Sequence, residues 1–341
     1  MNAPRRWYRR PFPLLGISGL LTLTGGLGWI TDHSVNRMVV PRQVAAEPWM
    51  QEILRQPERS GLRLQAFAVE TSDGLTLQAL VAEPGPAAGT TVKGLPVTAA
   101  LAKAGLKRGQ PGGRGTVVLL HGFNARKEHM LPFAERFCAA GFRCVLFDSR
   151  GHGDSGGTYA TFGSRETDDL RRVIEGARRL AGPAGLGPLG LMGYSMGGAV
   201  ALQAQPELPE VKAVATVSTF ADFQGVIIRQ AGEKYSRLGP PLLPLVRSGT
   251  QWRAGFDPWS IRPVESAGRL TCPLFLAHGA DDGLIPVSHV HQLAAAAGSR
   301  VRQLMVIPGG THGRVFITGG DGLWGAMAVF FARELAAGVS G

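Results

Sequence analysis

The run Gly190-Leu191-Met192-Gly193-Tyr194-Ser195-Met196-Gly197-Gly198 sets a serine between an apolar stretch, Pro188 to Met192, and a small-residue helical stretch, Met196 to Gln205. A G-x-S-x-G pattern with those flanks requires a sharp turn from strand into helix. The serine then takes backbone angles that L residues rarely adopt, and its hydroxyl projects above the sheet edge. Gly193 and Gly197 leave room for strand and helix to approach closely. The first amide of the helix, Met196 N–H, points toward any oxyanion formed beside the serine.

From Gly115 onward the chain alternates between two kinds of segment. Strands are expected at Thr116–Leu120, Arg143–Phe147, Pro188–Met192, Val211–Ser218, Pro273–Ala277 and Arg302–Ile307. Helices are expected at Lys127–Ala140, Ser164–Leu180, Met196–Gln205, Val287–Ala297 and Leu323–Ala336. The strands are continuous apolar runs joined by short loops, which calls for a mostly parallel, twisted sheet with helices on both faces. Ahead of it, Leu62 to Val81 reads as a hairpin about Thr71-Ser72-Asp73-Gly74. Residues 219–270 break the alternation with aromatic and proline-rich sequence, expected as a cap over the sheet's carboxyl edge. Residues 84–114 are rich in Gly, Ala, Pro and Thr and read as a flexible insertion with one short helix near Thr98–Ala104. The domain reading is an N-terminal segment over 1–31, a stalk over 32–61 and an α/β domain over 62–341.

With 44% apolar and 18% charged residues in a chain of 341, the composition describes a globular core. A net charge of +11 raises nucleic acid or an anionic membrane as partners. The distribution excludes nucleic acid: Arg5, Arg6, Arg9 and Arg10 cluster at the N-terminus, and no basic stretch interleaved with aromatics occurs. Cys138, Cys144 and Cys272 lie in apolar stretches and read as core residues. No Cys/His spacing suits a metal, and no cofactor is expected.

Residues 11–31 carry no charge, and Leu14 to Ile30 is largely apolar. As a helix that stretch reaches roughly 26 Å, near the lower limit for spanning a bilayer. The preceding arginines would keep the N-terminus in the cytoplasm. The expectation is a single-pass anchor in a bacterial-type inner membrane, with the folded domain outside the cytoplasm. A cleaved signal, which would leave a secreted or periplasmic protein, is the alternative, since Arg9-Arg10-Pro11-Phe12 resembles a twin-arginine signal. A buried N-terminal helix in a cytoplasmic protein is the third.

A serine hydroxyl needs a base within hydrogen-bond reach, and that base needs an orienting carboxylate. On a parallel sheet such partners come from loops at the carboxyl ends of strands. Of eight histidines, His312 in Gly309-Gly310-Thr311-His312-Gly313 follows the last strand and fits the base. The acid is expected at Asp282 in His278-Gly279-Ala280-Asp281-Asp282, with Asp281 and then Asp222 as fallbacks. A second oxyanion amide is expected at Phe123, in Leu120-His121-Gly122-Phe123. His121, Asp148 and Asp154 read as structural loop residues. Gly151 to Gly156 and Gly185 to Gly190 match a dinucleotide-site pattern, but the helix after the first starts about eight residues late, at Ser164, and the second precedes its strand, so both read as turns. Tyr194, Phe220, Phe223 and Trp252 are candidate substrate-binding residues, and the cap's Val226, Ile227, Phe256 and Trp259 add apolar surface.

Together these motifs resemble the α/β-hydrolase superfamily. The resemblance rests on His121-Gly122-Phe123, Asp148-Ser149-Arg150-Gly151-His152-Gly153-Asp154-Ser155, Gly193 to Gly198, His278 to Pro286 and Gly310-Thr311-His312-Gly313. It covers Leu62 to Ala336, with Thr311 and the 84–114 insertion as departures, and Ser195 excludes the aspartate-nucleophile dehalogenases. The anchor followed by Met38-Val39-Val40-Pro41 is similar to membrane-anchored members of the Bem46-like type. The resemblance implies a serine hydrolase acting on a small-molecule ester or acyl substrate, like a carboxylesterase. A serine peptidase on short peptides, a thioesterase or acyltransferase, and an idle binding protein are the alternatives.

Overall fold

The computed structural model describes residues 28, 31–110, 112–235 and 239–337. The expected anchor over 1–31 falls almost wholly outside them. Among the described residues, eight strands form one sheet in the order β1-β2-β4-β3-β5-β6-β7-β8. The hairpin β1 (Leu62–Glu70) and β2 (Thr76–Pro84) is antiparallel and joins antiparallel to β4 (Arg143–Phe147). The rest is parallel: β3 (Thr116–Leu120), β5 (Leu189–Tyr194), β6 (Val211–Val217), β7 (Leu274–Gly279) and β8 (Val301–Ile307).

The apolar runs of the central strands follow from burial on both sides. Val117 and Leu119 face one helical layer, and Val118 and Leu120 face the other. The first layer holds α3 (Gly94–Lys103), α4 (Leu131–Ala140) and α11 (Val315–Ala337). The second holds α5 (Glu166–Ala181), α6 (Met196–Ala204), α9 (Pro263–Ala267) and α10 (Ser288–Ala297). The stretch His312–Ala336 is long and apolar enough to cross a membrane by length and composition. Here its Leu323, Met327, Phe330 and Phe331 cover the sheet.

Three expectations about organisation change. Residues 32–61 are docked on the domain, not a stalk. Residues 31–39 form helix α1, whose Val35 and Val39 are buried among Phe162, Phe220, Phe223 and Val246. Arg253 pairs with Asp32 and donates to Asn36 Oδ1 at 2.8 Å, and Gln43 Nε2 donates to Gly151 O at 2.8 Å. Helix α2 (Pro48–Arg55) buries Met50 and Ile53. The spacings i,i+4 and i,i+3 give each short helix a narrow apolar edge, enough to dock it.

The described part of the 84–114 segment is likewise packed against the domain. Val97 and Leu101 of α3 are buried, and Lys93 pairs with Glu135 of α4. Its small residues are what permit the fit, since a Cβ on Gly94 would lie 2.2 Å from Ala88 O. The cap is also narrower than 219–270. It consists chiefly of α7 (Phe223–Tyr235) and α8 (Gly239–Ala254), while α9 belongs to the second helical layer through Ala267.

Candidate active site

Ser195 sits between β5 and α6 with φ 53° and ψ −116°, in the left-handed half of backbone space. The strain is held by backbone contacts. Ser195 N donates to Val217 O at 2.9 Å, and Gly198 N donates to Ser195 O at 3.1 Å. A Cβ on Gly193 would stand 2.3 Å from Gly197 O, and one on Gly197 would stand 2.2 Å from Leu120 O. Gly198 is as tight, with Thr219 Oγ1 at 1.9 Å from such a Cβ. Only glycines let helix, elbow and strand pack at these separations.

The structure brings Asp282 and His312 to that hydroxyl. His312 Nε2 accepts from Ser195 Oγ at 3.0 Å, and His312 Nδ1–H donates to Asp282 Oδ2 at 2.8 Å. That tautomer is the one the carboxylate selects. Asp282 leaves β7 in a turn and takes the Leu284 and Ile285 amides on Oδ1 at 3.0 and 2.8 Å. Its burial favours the protonated form, but His278, His312 and the Ile285 amide outweigh that and hold the carboxyl below the usual range. His278 lies 3.4 Å from Asp282 Oδ2 and donates from Nε2 to Ile285 O at 2.8 Å, which fixes the turn. The fallback acids do other work. Asp281 is exposed, its amide bound to Gly310 O, and Asp222 receives the Gly225 amide at 2.6 Å.

The loop carrying Phe123 is anchored from below. Lys127 N and Nζ donate to buried Asp148 at 2.6 and 2.8 Å, and Asp154 closes the group through Lys127 Nζ at 2.7 Å. His121 accepts the Ser149 amide at 3.0 Å and faces the Gly122 carbonyl at 2.8 Å. All three are structural, as the sequence predicts. The glycines at 151 and 156 close a turn, with Gly151 N on Gly156 O at 2.9 Å. The amides of Phe123 and Met196 have no acceptor among the described residues, so both remain free to donate. Among those residues no cluster of His, Cys, Asp or Glu suits a metal ion.

A cavity of about 240 Å³ opens above Ser195. It is lined by Phe123 and Met196, by Phe220, Phe223, Val226 and Ile227 of the cap region, and by Phe162, Leu243 and Val246. Of the candidate substrate-binding residues, Phe220 and Phe223 line it. Two other candidates are corrected. Trp252 is 81% exposed and outside the cavity. The face of α8 turned inward carries Val246, Thr250 and Ala254, and a residue two positions from Thr250 points away from it. Tyr194 also stays out of the cavity: its hydroxyl donates to His312 O at 2.6 Å, and its ring lies 5.4 Å from the imidazole. It positions the His312 loop. Phe256 and Trp259 do not reach the cavity either.

Sequence reasoning missed the wall supplied by α1, where Ser34, Arg37 and Met38 line the cavity. The available signal was the apolar pair Val35 and Val39, which marks a docked helix but not what its other side faces.

Comparison with known proteins agrees with this architecture. The profile of the family described as serine aminopeptidase, S33 (Hydrolase_4) matches residues 112–257. The uncharacterized protein YqkD of Bacillus subtilis is 27% identical over 180 residues, 52% of this chain and 58% of its own length, so the chain spans little more than half of it. A monoacylglycerol lipase of Mycolicibacterium smegmatis is 28% identical over 233 residues, covering 58% of this chain and 81% of that one. Among solved structures, the Pyrococcus furiosus esterase Pf2001 superposes with a TM-score of 0.63 at 21% identity, covering 87% of this chain and all of that one (100%). With the strand order, the elbow and these matches together, the chain has the α/β-hydrolase fold.

Proposed function

We propose that the chain hydrolyses carboxylic esters through a covalent acyl-serine. The observation that carries this reading is the continuous relay Ser195–His312–Asp282 at the floor of an apolar cavity. Ser195 Oγ attacks the ester carbonyl while His312 Nε2 takes its proton, and Asp282 holds the imidazole and balances its charge. The amides of Phe123 and Met196 receive the oxyanion. His312 then returns the proton to the leaving alkoxide, giving the acyl-enzyme and free alcohol. Water attacks that acyl group with His312 again as base, releasing the acid and restoring Ser195.

An ester is favoured over a peptide by the cavity's chemistry. Among the described residues that line it there is no Asp or Glu to meet the ammonium group of a peptide terminus. A thiol ester or a second acyl acceptor would use the same acyl-enzyme. The test is a fluorophosphonate probe on the folded chain, followed by aryl esters of graded length beside aminoacyl anilides. Ser195 is expected to be labelled, Ser195→Ala not, and esters to turn over faster than anilides. A folded protein whose Ser195 takes no label would sink the reading.

We also propose that residues 12–30 anchor the chain in a membrane with the domain outside the cytoplasm. A reporter fused after Ala336 that is active only in the cytoplasm would reverse it.

A further inference from the structure

Most of the cavity wall is apolar, and among the described residues its one charged member is Arg37 of α1. Other arginines around the cap have acids close by. Arg229 pairs with Glu233 at 2.8 Å, Arg247 with Asp257, and Arg253 with Asp32. The Arg37 side chain is exposed and makes no ion pair or hydrogen bond among the described residues. Its helical neighbours one turn earlier are His33 and Ser34, and the chain that follows the helix, Val40 and Pro41, brings no acid. A cation left without a counter-charge beside a low-dielectric wall makes the site attractive to anions. Ser34, one turn earlier on the same face, also lines the cavity and adds a hydroxyl donor.

We propose that Arg37 is a specificity-determining residue that selects acyl esters carrying an anionic group, a carboxylate, sulfonate or phosphate, held at the α1 side of the cavity. The proposal rests on the ester-hydrolase reading above. It gives α1 a role in the site: the apolar chain fills the cavity between α7 and α8, and the charged end is met by α1.

The test compares kcat/KM on the full chain for two matched pairs of chromogenic esters. In one pair the acyl chain ends in a carboxylate or a methyl group, as in nitrophenyl monoesters of medium-chain dicarboxylic and monocarboxylic acids. In the other the leaving group carries the charge, as an acyloxy-nitrobenzoate against its methyl ester. In at least one pair the charged-to-uncharged ratio falls by about fivefold or more in Arg37→Gln and is largely kept in Arg37→Lys. Added salt lowers the wild-type ratio and leaves that of Arg37→Gln flat. Arg247→Gln, a cap arginine outside the cavity, keeps the wild-type ratio. Ratios equal in wild type and Arg37→Gln for both pairs would overturn the proposal, as would an equal loss in Arg247→Gln. If those esters are cleaved and Ser195 takes the fluorophosphonate, the hydrolase reading survives that failure. No cleavage and no label would remove both.

Discussion

Beneath Ser195 the molecule is held by backbone against backbone, whereas above it the cavity is held by side chains drawn from distant parts of the chain. At the elbow, Gly197 has room for no Cβ, with Leu120 O at 2.2 Å. In the cap, a Cβ on Gly232 of α7 would meet nothing within 4 Å. The cavity wall is shared among α1, α7, α8 and the loops carrying Phe123, Phe162 and Leu284. Backbone contacts admit one geometry, because nothing smaller than glycine exists to relieve them. Apolar walls admit many, because side chains of similar volume replace one another at small cost. Chemistry and choice of substrate are thereby separated, and each can be perturbed without the other.

The sharpest test sets alanine at a glycine in each region. Gly197→Ala must push α6 away from the end of β3, where Leu120 and His121 present backbone atoms that cannot rotate aside. A loss of about 3 kcal/mol or more in urea unfolding is expected, together with loss of fluorophosphonate labelling. Gly232→Ala sits in an exposed helical position and should gain about 0.5–1 kcal/mol. Equal stability in the two variants would erase the distinction.

The same division decides what the sequence reveals. The elbow is local, so nine consecutive residues from Gly190 to Gly198 display it, and the strand-end rule then leads to Asp282 and His312. Strands Thr116–Leu120 and Arg143–Phe147 are legible to the residue because both faces are buried and the apolar run has clear ends. The cavity wall is not local. Arg37 lines it only because Val35 and Val39 dock α1 against Phe162 and Phe223, a partnership that periodicity cannot name. Trp252 falls outside the wall for the opposite reason: its helical phase relative to Val246, Thr250 and Ala254 turns it outward, whatever its residue type suggests. The packing of the 84–114 segment is hidden in the sequence because Ala and Gly signal little to bury, although their smallness is what lets α3 sit against α4 and α11.

A second effect separates the regions by pH. His121 and His152 are fully buried under the Phe123 loop, with ring centroids 4.9 Å apart. Burial, chiefly, lowers their pKa values from 6.5 to about 4 and about 3. The unfolded chain therefore binds protons as the pH falls through 6.5, while the folded chain resists until near 4 and 3. Stability from this pair is complete above about pH 6.5 and drains away as the pH drops toward 3. At about 1.4 kcal/mol per pKa unit, His121 alone accounts for on the order of 3 kcal/mol. Unfolding midpoints measured from neutral pH down to about 4 should fall steeply, and His121→Asn should be weaker at neutral pH but flatter below it. The cap's ion pairs, Arg229 with Glu233 and Arg247 with Asp257, are partly exposed and should add little to the slope. An unchanged slope in His121→Asn would place the acid sensitivity elsewhere.

The smallest effect probes the cap alone. Phe223 is 5% exposed, stacks on Phe162 at 4.1 Å and lines the cavity, whereas Trp252 on α8 is 81% exposed and does not. Phe223→Ala opens volume beside the acyl chain, so kcat/KM for medium-chain aryl esters should fall by about tenfold, the equivalent of one or two lost methylene contacts. Longer chains, which fill the new space, should lose less. Trp252→Ala should stay within about twofold for every chain length, since the ring is 81% exposed, lies outside the cavity and meets Arg253 on the outer face at 5.9 Å. Both variants leave the elbow's backbone contacts untouched, so fluorophosphonate labelling of Ser195 is expected in each. A chain-length shift in Trp252→Ala equal to that in Phe223→Ala would mean that the outer face of α8 takes part in substrate choice. The wall would then extend beyond the cavity that α1 and α7 enclose.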